Sequence, residues 1–476
     1  MIASLIWILL LYGFSVLAVI HILLNKQDPR AALGWIAVCL GLPGFGAFGY
    51  WLLGCNRIRT RARSWQSSGS GIHLPANWET LHAEPAVLRP PFQTQNYTLL
   101  RQLSDEVTRR PLVDGNRVDP LFNGEQAYPA MLEAIEQATK TICLSTYIFD
   151  TQETGRSFAA SLIRAAQRGV EVRVLVDALG ELYTWPRVRG QFRSTSVRFA
   201  LFLPFSLSRR GLHTNLRNHR KLLIVDGQTG FTGGMNISRR HCVQSPGRRQ
   251  PVVDVHFQIR GPVVSQMHEA FLEDWHFTTG EMFQQLHPLA PTDGTSLCRG
   301  VSAGPNEEYE KLVWIISGAL SCARRRVAIM VPYFIPDQAM IVALCGAALR
   351  GVVVEIILPE RNNLPFVAWA SRASFEQLLQ YGVRIAYQPG PFNHSKLVLM
   401  DEHYALIGSA NLDPRSLRLN FEFNLEVYDE DLNRQLQQYF DQVLSTCEPV
   451  TCRSMQQRRL PLKLRDSFFR LFTPFL

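Results

Sequence analysis

One set of chemically competent residues occurs twice in this chain at one spacing. The first copy is His219, Lys221, Asp226, Gly233 and Asn236; the second is His394, Lys396, Asp401, Gly408 and Asn411. Both obey HxKx4Dx6GxxN, with seventeen residues from His to Asn. A single match of this kind is weak evidence, but two with identical spacing make coincidence remote. An imidazole can attack phosphorus as a nucleophile, and a second imidazole can protonate the departing oxygen. Lysine ammoniums and asparagine amides supply positive charge and neutral donors for phosphoryl oxygens. The doubled set therefore points to phosphodiester chemistry. His219, Lys221, Asp226, His394, Lys396 and Asp401 are the catalytic candidates, and Asn236 and Asn411 the phosphate-binding ones.

Two carboxylates complete the expected site. Glu422 lies in the alternating stretch Asn420–Asn424, and Asp254 in Val252–His256, beyond a polar loop at Arg239–Gln250. A buried carboxylate on imidazole Nδ1 fixes the tautomer and supports a developing imidazolium. An ordinary strand-end acid is the competing reading for each.

The elements that must position these groups follow from periodicity. In a strand, side chains at i and i+2 share a face, so His219 points with Lys221 and His394 with Lys396. Upstream, a helix at Leu132–Ala138, a strand at Thr141–Phe149, a helix through Ala159–Gln167 and a strand at Val170–Val176 are expected. The same order recurs at Leu312–Ala319, Val327–Ile335, Ala339–Leu349 and Val352–Leu358, with an Arg-Gly-Val junction at Arg168 and again at Arg350. Strands that are apolar throughout and alternate with helices predict an α/β sandwich covered on both faces. Two such halves predict a pseudo-twofold pair with a site between them.

The N-terminus has a different character. Ile2–Leu24 carries no charged side chain, and a second apolar run, Ala31–Leu53, follows a short polar break. Each run is long enough to span a bilayer, so a two-helix transmembrane hairpin is expected. A cleaved signal peptide would have a shorter core and no second span; two buried helices are the other alternative. Arg57, Arg59, Arg61 and Arg63 directly follow the second run, which places the rest of the chain in the cytoplasm and the arginines against anionic headgroups. Residues Ser64–Thr94 read as a Ser-, Gly- and Pro-rich linker. The expected division is 1–54 hairpin, 55–110 basic juxtamembrane segment and linker, 111–290 first half, and 291–476 second half with an amphipathic tail.

Composition agrees. The 476 residues hold 49 Lys+Arg against 40 Asp+Glu, a net charge of +9, with 46% hydrophobic and 19% charged residues. That excludes a disordered chain and favours anionic partners. The nine cysteines form no CxxC pair, which gives no sign of a zinc site or a disulfide framework.

The doubled motif, with Asn218-His219-Arg220-Lys221, Thr146–Phe149, Pro332–Asp337 and Gly408–Phe423, resembles the phospholipase D superfamily. Together with Gly34-Trp35, Pro43-Gly44 and Tyr50–Gly54 in the second apolar run, it is similar to the membrane-anchored bacterial cardiolipin synthases, over almost the whole chain. The resemblance implies two phospholipase D-like α/β halves related by a pseudo-twofold. It also implies a covalent phosphohistidine intermediate and no metal or other cofactor. His219 takes the usual nucleophile position and His394 that of the acid/base, although nothing in the sequence distinguishes the two roles. The implied reaction converts two phosphatidylglycerol molecules to cardiolipin and glycerol, in a multi-pass protein of the bacterial cytoplasmic (inner) membrane. The implied partners are phosphatidylglycerol and anionic membrane lipids, with no nucleic acid; oligomeric state is open. A hydrolytic phospholipase D, or a transphosphatidylase using another alcohol, would carry the same motifs. An apolar mouth to the site is expected from Phe199–Leu207 or from the tail Leu460–Leu476, which reads equally as an interfacial or a packed helix. The family pattern is broken at Gly234 (often Ser), at Val252-Val253 (commonly Trp-Arg) and at Glu360–Asn363, which lacks an aspartate.

Overall fold

The computed structural model describes residues 2–26, 29–54, 88, 92, 95–204, 216–244, 250–281, 290–304 and 310–473. The four arginines after the second apolar run, almost all of the linker, and Phe205–Leu207 lie outside them. The chain divides into two compact units, Met1–Gly71 and Ile72–Leu476.

In the first unit, the helix Ile2–Asn25 is followed by a second, Pro29–Gly41. The second apolar run is not one continuous helix. It breaks after Gly41, because Pro43 lacks an amide donor and Gly44 adopts φ +79, its N–H donating to Ser15 Oγ at 3.0 Å. A short helix Phe45–Gly49 and a π-helical turn Tyr50–Gly54 follow. Ala18, Ile22, Cys39, Ala47 and Tyr50 pack together, and His21 Nδ1 meets the Tyr50 hydroxyl at 2.7 Å. Among the described residues no helix is long and apolar enough to cross a membrane. The helices of the expected hairpin are therefore present, while their crossing is not shown.

In the second unit, the first half supplies strands β1 (Val113–Phe122), β2 (Thr141–Thr146), β3 (Glu171–Asp177), β4 (Arg198–Phe202), β5 (Leu222–Val225), β6 (Thr229–Gly233), β7 (Val252–Val253) and β8 (Val255–Arg260). The second half supplies β9 (Ser296–Ala303), β10 (Arg326–Met330), β11 (Val353–Pro359), β12 (Arg384–Gln388), β13 (Phe392–Asn393), β14 (Leu397–Met400), β15 (Tyr404–Gly408), β16 (Glu422–Tyr428) and β17 (Glu448–Val450). Among the described residues, all but β7 and β13 join one sheet, ordered β17-β12-β11-β10-β14-β15-β16-β9-β1-β8-β6-β5-β2-β3-β4. Read outward from the antiparallel β1–β9 pair, the two halves repeat one topology, which is the expected pseudo-twofold. The sheet is mixed: β2, β3 and β4 run parallel, as do β10, β11 and β12, and the hairpins β5–β6 and β14–β15 are antiparallel.

The continuous apolar runs arise because both faces are covered. In β3, Val172, Val174 and Val176 enter one core and Leu175 the other; in β11, Val354, Ile356 and Leu358 oppose Ile357 in the same way. The core on the shared face takes in the helices Val264–Thr279 and Glu430–Leu444 from both halves. The repeated Arg-Gly junction also has a local cause. Gly169 and Gly351 sit at φ +92 and +89 and end the helices Glu153–Gln167 and Gln338–Leu349, a conformation that penalises a Cβ. The preceding Arg168 and Arg350 each donate to three carbonyls at the end of the neighbouring helix.

The expected strands at Thr141–Phe149 and Val327–Ile335 end early, at Thr146 and Met330. Their last residues leave the sheet and bridge the loops after β6 and β15, Phe149 to Ile237 and Phe334 to Leu412. Those loops carry Asn236 and Asn411. Phe199–Phe202, expected at an apolar mouth, is instead strand β4, with Phe202 fully buried.

Candidate active site

His219 and Lys221 lie on extended chain entering β5, and His394 and Lys396 on the equivalent chain entering β14. Each of these entries is pinned to the opposite half. Asn218 bridges Phe421, with the His219 amide donating to the Phe421 carbonyl at 2.9 Å. Symmetrically, β13 pairs with β7, and the His394 amide donates to the Val253 carbonyl at 2.7 Å. The residue after each acceptor is the carboxylate. His219 Nδ1 lies 3.0 Å from both oxygens of Glu422, and His394 Nδ1 lies 3.0 Å from Asp254 Oδ2. The pairing is crossed, each imidazole taking its carboxylate from the other half.

Both carboxylates are fully buried, and the histidine side chains are 13% and 11% exposed. Lys221 Nζ donates to the His219 carbonyl at 2.7 Å and Lys396 Nζ to that of His394 at 2.5 Å, which folds each ammonium back beside its histidine. Burial lowers Lys221 to about 7 and Lys396 to about 8, against the pull of Glu422 and Asp254. Burial also lowers His219, against Glu422. His394 falls well below the ordinary range through burial, then the two ammoniums, then His241 and His219. Each imidazole thus feels the ammoniums of both copies.

The two carboxylates differ. Burial pushes Glu422 up, but His219, Lys221 and the Ser409 hydroxyl outweigh it and hold it below the usual carboxylate range. Ser409 Oγ donates to Glu422 Oε2 at 2.5 Å, and Asn420 Nδ2 reaches Oε1 at 3.3 Å. With Glu422 ionised and accepting only, His219 must carry its proton on Nδ1, which leaves Nε2 as a lone pair. Asp254 has the His394 ring and the Val255 amide, and burial raises it to about 7. Gly234 occupies the place equivalent to Ser409, and a Cβ there would collide with both Asp254 oxygens. The glycines ending β6 and β15, Gly233 and Gly408, share φ near +150, where a Cβ would strike the adjoining strand.

Both asparagines are buried. Asn236 Oδ1 accepts from the Ile148 amide at 3.2 Å, which aims its NH2 elsewhere; Asn411 Nδ2 donates to Ser416 Oγ at 3.3 Å. Asp226 and Asp401, the other catalytic candidates of the motif, make different contacts. Each sits at the far end of its strand, five residues and roughly 16 Å beyond the lysine, in a turn at positive φ. There Asp226 accepts from the amides of Thr139, Lys140 and Thr141, and Asp401 from those of Arg324, Arg325 and Arg326. Among the described residues no group of three or more His, Cys, Asp or Glu is arranged to hold a metal ion.

Two imidazoles, each backed by a buried carboxylate of the other half, thus stand across the pseudo-twofold. A cardiolipin synthase, phospholipase D-like domain matches residues 131–275 and 316–444, and a phospholipase D-nuclease N-terminal domain matches 13–54. The chain is 32% identical to cardiolipin synthase A of Pseudomonas putida (strain W619), over 98% of this chain and 97% of that protein. It is 31% identical to the cardiolipin synthase of Geobacillus sp. (strain WCH70), over 95% and 90%.

The chain belongs to the cardiolipin synthase family.

The fold is also that of the phosphatidylserine synthase of Haemophilus influenzae Rd KW20, with a TM-score of 0.61 at 15% identity, covering 80% of this chain and all of that one. Beyond the motif residues, this cardiolipin synthase family member brings further side chains to the cluster. Tyr147 meets His219 edge-on at 5.5 Å, and Tyr333 meets His394 at 6.3 Å. The Glu360–Asn363 departure has a use: Asn363 Oδ1 accepts the Tyr333 hydroxyl at 2.8 Å, and Asn362 Nδ2 donates to the Pro332 carbonyl. His241, from the polar loop, lies 6.4 Å from the His394 ring, and burial first lowers it to about 3. Nothing local marks His241, because only the tertiary fold carries that loop to the second half's histidine.

Proposed function

We propose that this chain transfers a phosphatidyl group between two phosphatidylglycerol molecules, giving cardiolipin and glycerol. The observation that carries this reading is the pair of crossed histidine–carboxylate contacts, in a chain whose relatives along its whole length are cardiolipin synthases. Nε2 of His219 attacks the phosphorus of the first phosphatidylglycerol. The bond to the glycerol oxygen breaks, and His394, held as the imidazolium by the entering phosphate anion and by Asp254, gives that oxygen its Nε2 proton. The resulting phosphoimidazolium keeps its Nδ1 proton against Glu422, whose charge stabilises it. His394, now neutral, takes the proton from a hydroxyl of the second phosphatidylglycerol. That oxygen attacks phosphorus, the P–N bond breaks, and His219 is regenerated. One residue thus serves as acid and then as base, as microscopic reversibility requires. Lys221 and Lys396 hold the phosphoryl charge, with Asn236 and Asn411 as neutral donors.

The helices of the first unit are proposed as the anchor in the bacterial cytoplasmic membrane, with the catalytic halves on its cytoplasmic side. Trp7, Leu9, Leu10, Leu17 and Leu24 stand exposed on the helix Ile2–Asn25, an apolar surface that favours lipid over water. The proposed division remains 1–54, 55–110, 111–290 and 291–476.

The test is product analysis. The full chain is given labelled phosphatidylglycerol in mixed micelles, and the lipids are separated. Cardiolipin with equimolar glycerol is expected, and none from His219→Ala or His394→Ala. Phosphatidic acid as the only product would replace transfer with hydrolysis.

A further inference from the structure

Two exposed apolar rims, one from each half, are linked to the crossed cluster through aromatic side chains. On the first-half side, the turn Gly180–Tyr183 follows β3 and is clasped against Tyr147, since a Cβ at Gly180 would collide with the Tyr147 carbonyl. Buried Glu181, paired with Arg189 at 3.3 Å, holds the turn from beneath. Tyr183 lies 6.1 Å from Tyr147, the ring against His219. Beyond it the chain exposes Leu182 and, at 85%, Trp185. Among the described residues, the turn thus presents an indole almost wholly to water.

On the second-half side stands the helix Leu460–Arg470. It is packed, as one of the two expectations for the tail had it. Phe469 lies 4.8 Å from Trp369 and joins the patch of Ile335, Val367 and Ala370 that Tyr333 borders. Buried Asp466 ties the helix to Arg458 and Arg465, and the Arg465 guanidinium sits over the Trp369 ring at 4.4 Å. Its outer face is nonetheless apolar: Leu460, Leu464 and Phe468, with Leu471 just beyond, are each more than half exposed. Five cations and one carboxylate fall between residues 458 and 470.

We propose that Trp185 with its turn and the outer face of Leu460–Arg470 are a docking rim that seats the catalytic cleft on an anionic phospholipid bilayer. Apolar tips interleaved with cations, on two separate elements linked to the cluster, match a lipid interface, where tips enter the acyl region and cations meet phosphates. Seating the cleft on the bilayer lets a diacyl substrate enter without leaving lipid and keeps water from the intermediate. The inference rests on the phosphatidyl-transfer reading for its purpose but not for its test.

An environment-sensitive fluorophore is attached to Trp185→Cys, Leu464→Cys or Glu402→Cys in the full chain on phosphatidylglycerol vesicles, with the unsubstituted chain as thiol background. Glu402 lies in the β14–β15 turn, at the end of β14 away from His394. Labels at 185 and 464 should shift to the blue and be quenched by nitroxides in the acyl chains, and the label at 402 should not. Absence of quenching at 185 and 464 overturns the rim whether or not the chain makes cardiolipin. So does shielding of these labels by self-association alone. In activity, Leu464→Ser/Phe468→Ser should lose about tenfold on vesicles through a higher interfacial KM, while turnover of dissolved short-chain phosphatidylglycerol stays within about twofold. Equal loss on both substrates also overturns it. Quenching without any cardiolipin would leave the rim standing and remove the transferase reading.

Discussion

Glu422 lies 3.0 Å from His219 although 203 residues separate them and they belong to different halves. Asp254 repeats the relationship with His394 across 140 residues. Neither half therefore contains a complete histidine–carboxylate pair. The register between halves, set by Asn218 against Phe421 and by β13 against β7, is itself part of the site.

The crossing should appear as coupling. In denaturant titrations, His219→Ala and Glu422→Gln should be non-additive by about 0.5–3 kcal/mol, while His219→Ala and Asp254→Asn should add more nearly. Glu422→Gln alone should lower turnover by about 10²- to 10⁴-fold, because the amide no longer stabilises the imidazolium. Coupling of His219 to Asp254 instead would refute the crossed arrangement.

Gly234→Ala places a methyl group against both oxygens of Asp254, which cannot retreat while His394 and the Val255 amide hold them. Turnover should fall at least about tenfold, with most of the loss in kcat, since the carboxylate acts through His394. Ser409→Ala, which removes a donor from Glu422 and an acceptor from the Phe423 amide without adding bulk, should leave more activity and move the acid limb of the pH profile upward. Crystal or spectroscopic evidence of an undisturbed Asp254–His394 contact in Gly234→Ala would contradict this.

The lowered lysines make two pH dependences of opposite sign. Below about 7 and 8, Lys221 and Lys396 are both cationic; as pH rises they lose protons, so inhibition by sulfate, which does not titrate in this range, should weaken steadily from pH 6 to 9. Above about pH 7 the native lysines hold fewer protons than the unfolded chain, so their contribution to folding stability should rise with pH over the same span. Sulfate inhibition constants and urea midpoints measured across that range check both signs. Inhibition that strengthens with pH would mean that other groups bind the anion.

Asp226→Asn tests whether the motif aspartate takes part in the chemistry. Its carboxylate caps three amides entering β2, at the end of β5 away from Lys221. Burial raises its pKa, but those amides and the Thr139 hydroxyl outweigh it and keep it below the ordinary value, so the stability it adds is present near neutrality and lost on acidification. The variant should be less stable by about 1–3 kcal/mol in calorimetry and keep kcat within about threefold at low temperature. A hundredfold fall in kcat with unchanged stability would place Asp226 in the chemistry.

The sequence by itself determined what is periodic or local. Apolar runs flanked by helices imply a sheet covered on both faces, as Val174 and Leu175 entering different cores bear out. The doubled spacing places His219 with Lys221 and His394 with Lys396, because i and i+2 on extended chain share a side. The identities of Glu422 and Asp254 as candidates were legible from their alternating strands. Which histidine each carboxylate meets was not legible, since spacing along a chain carries no information about pairing between strands hundreds of residues apart. Only the tertiary structure decided that, through the contacts between the two halves. It also set Asp226 and Asp401 against backbone amides at the far ends of β5 and β14, four strand residues separating each from its lysine. It brought in His241, whose loop has no local signal, and it separated Glu422 from Asp254 by a single hydroxyl, Ser409 against Gly234, whose effect exists only where the folded backbone brings it within hydrogen-bonding distance.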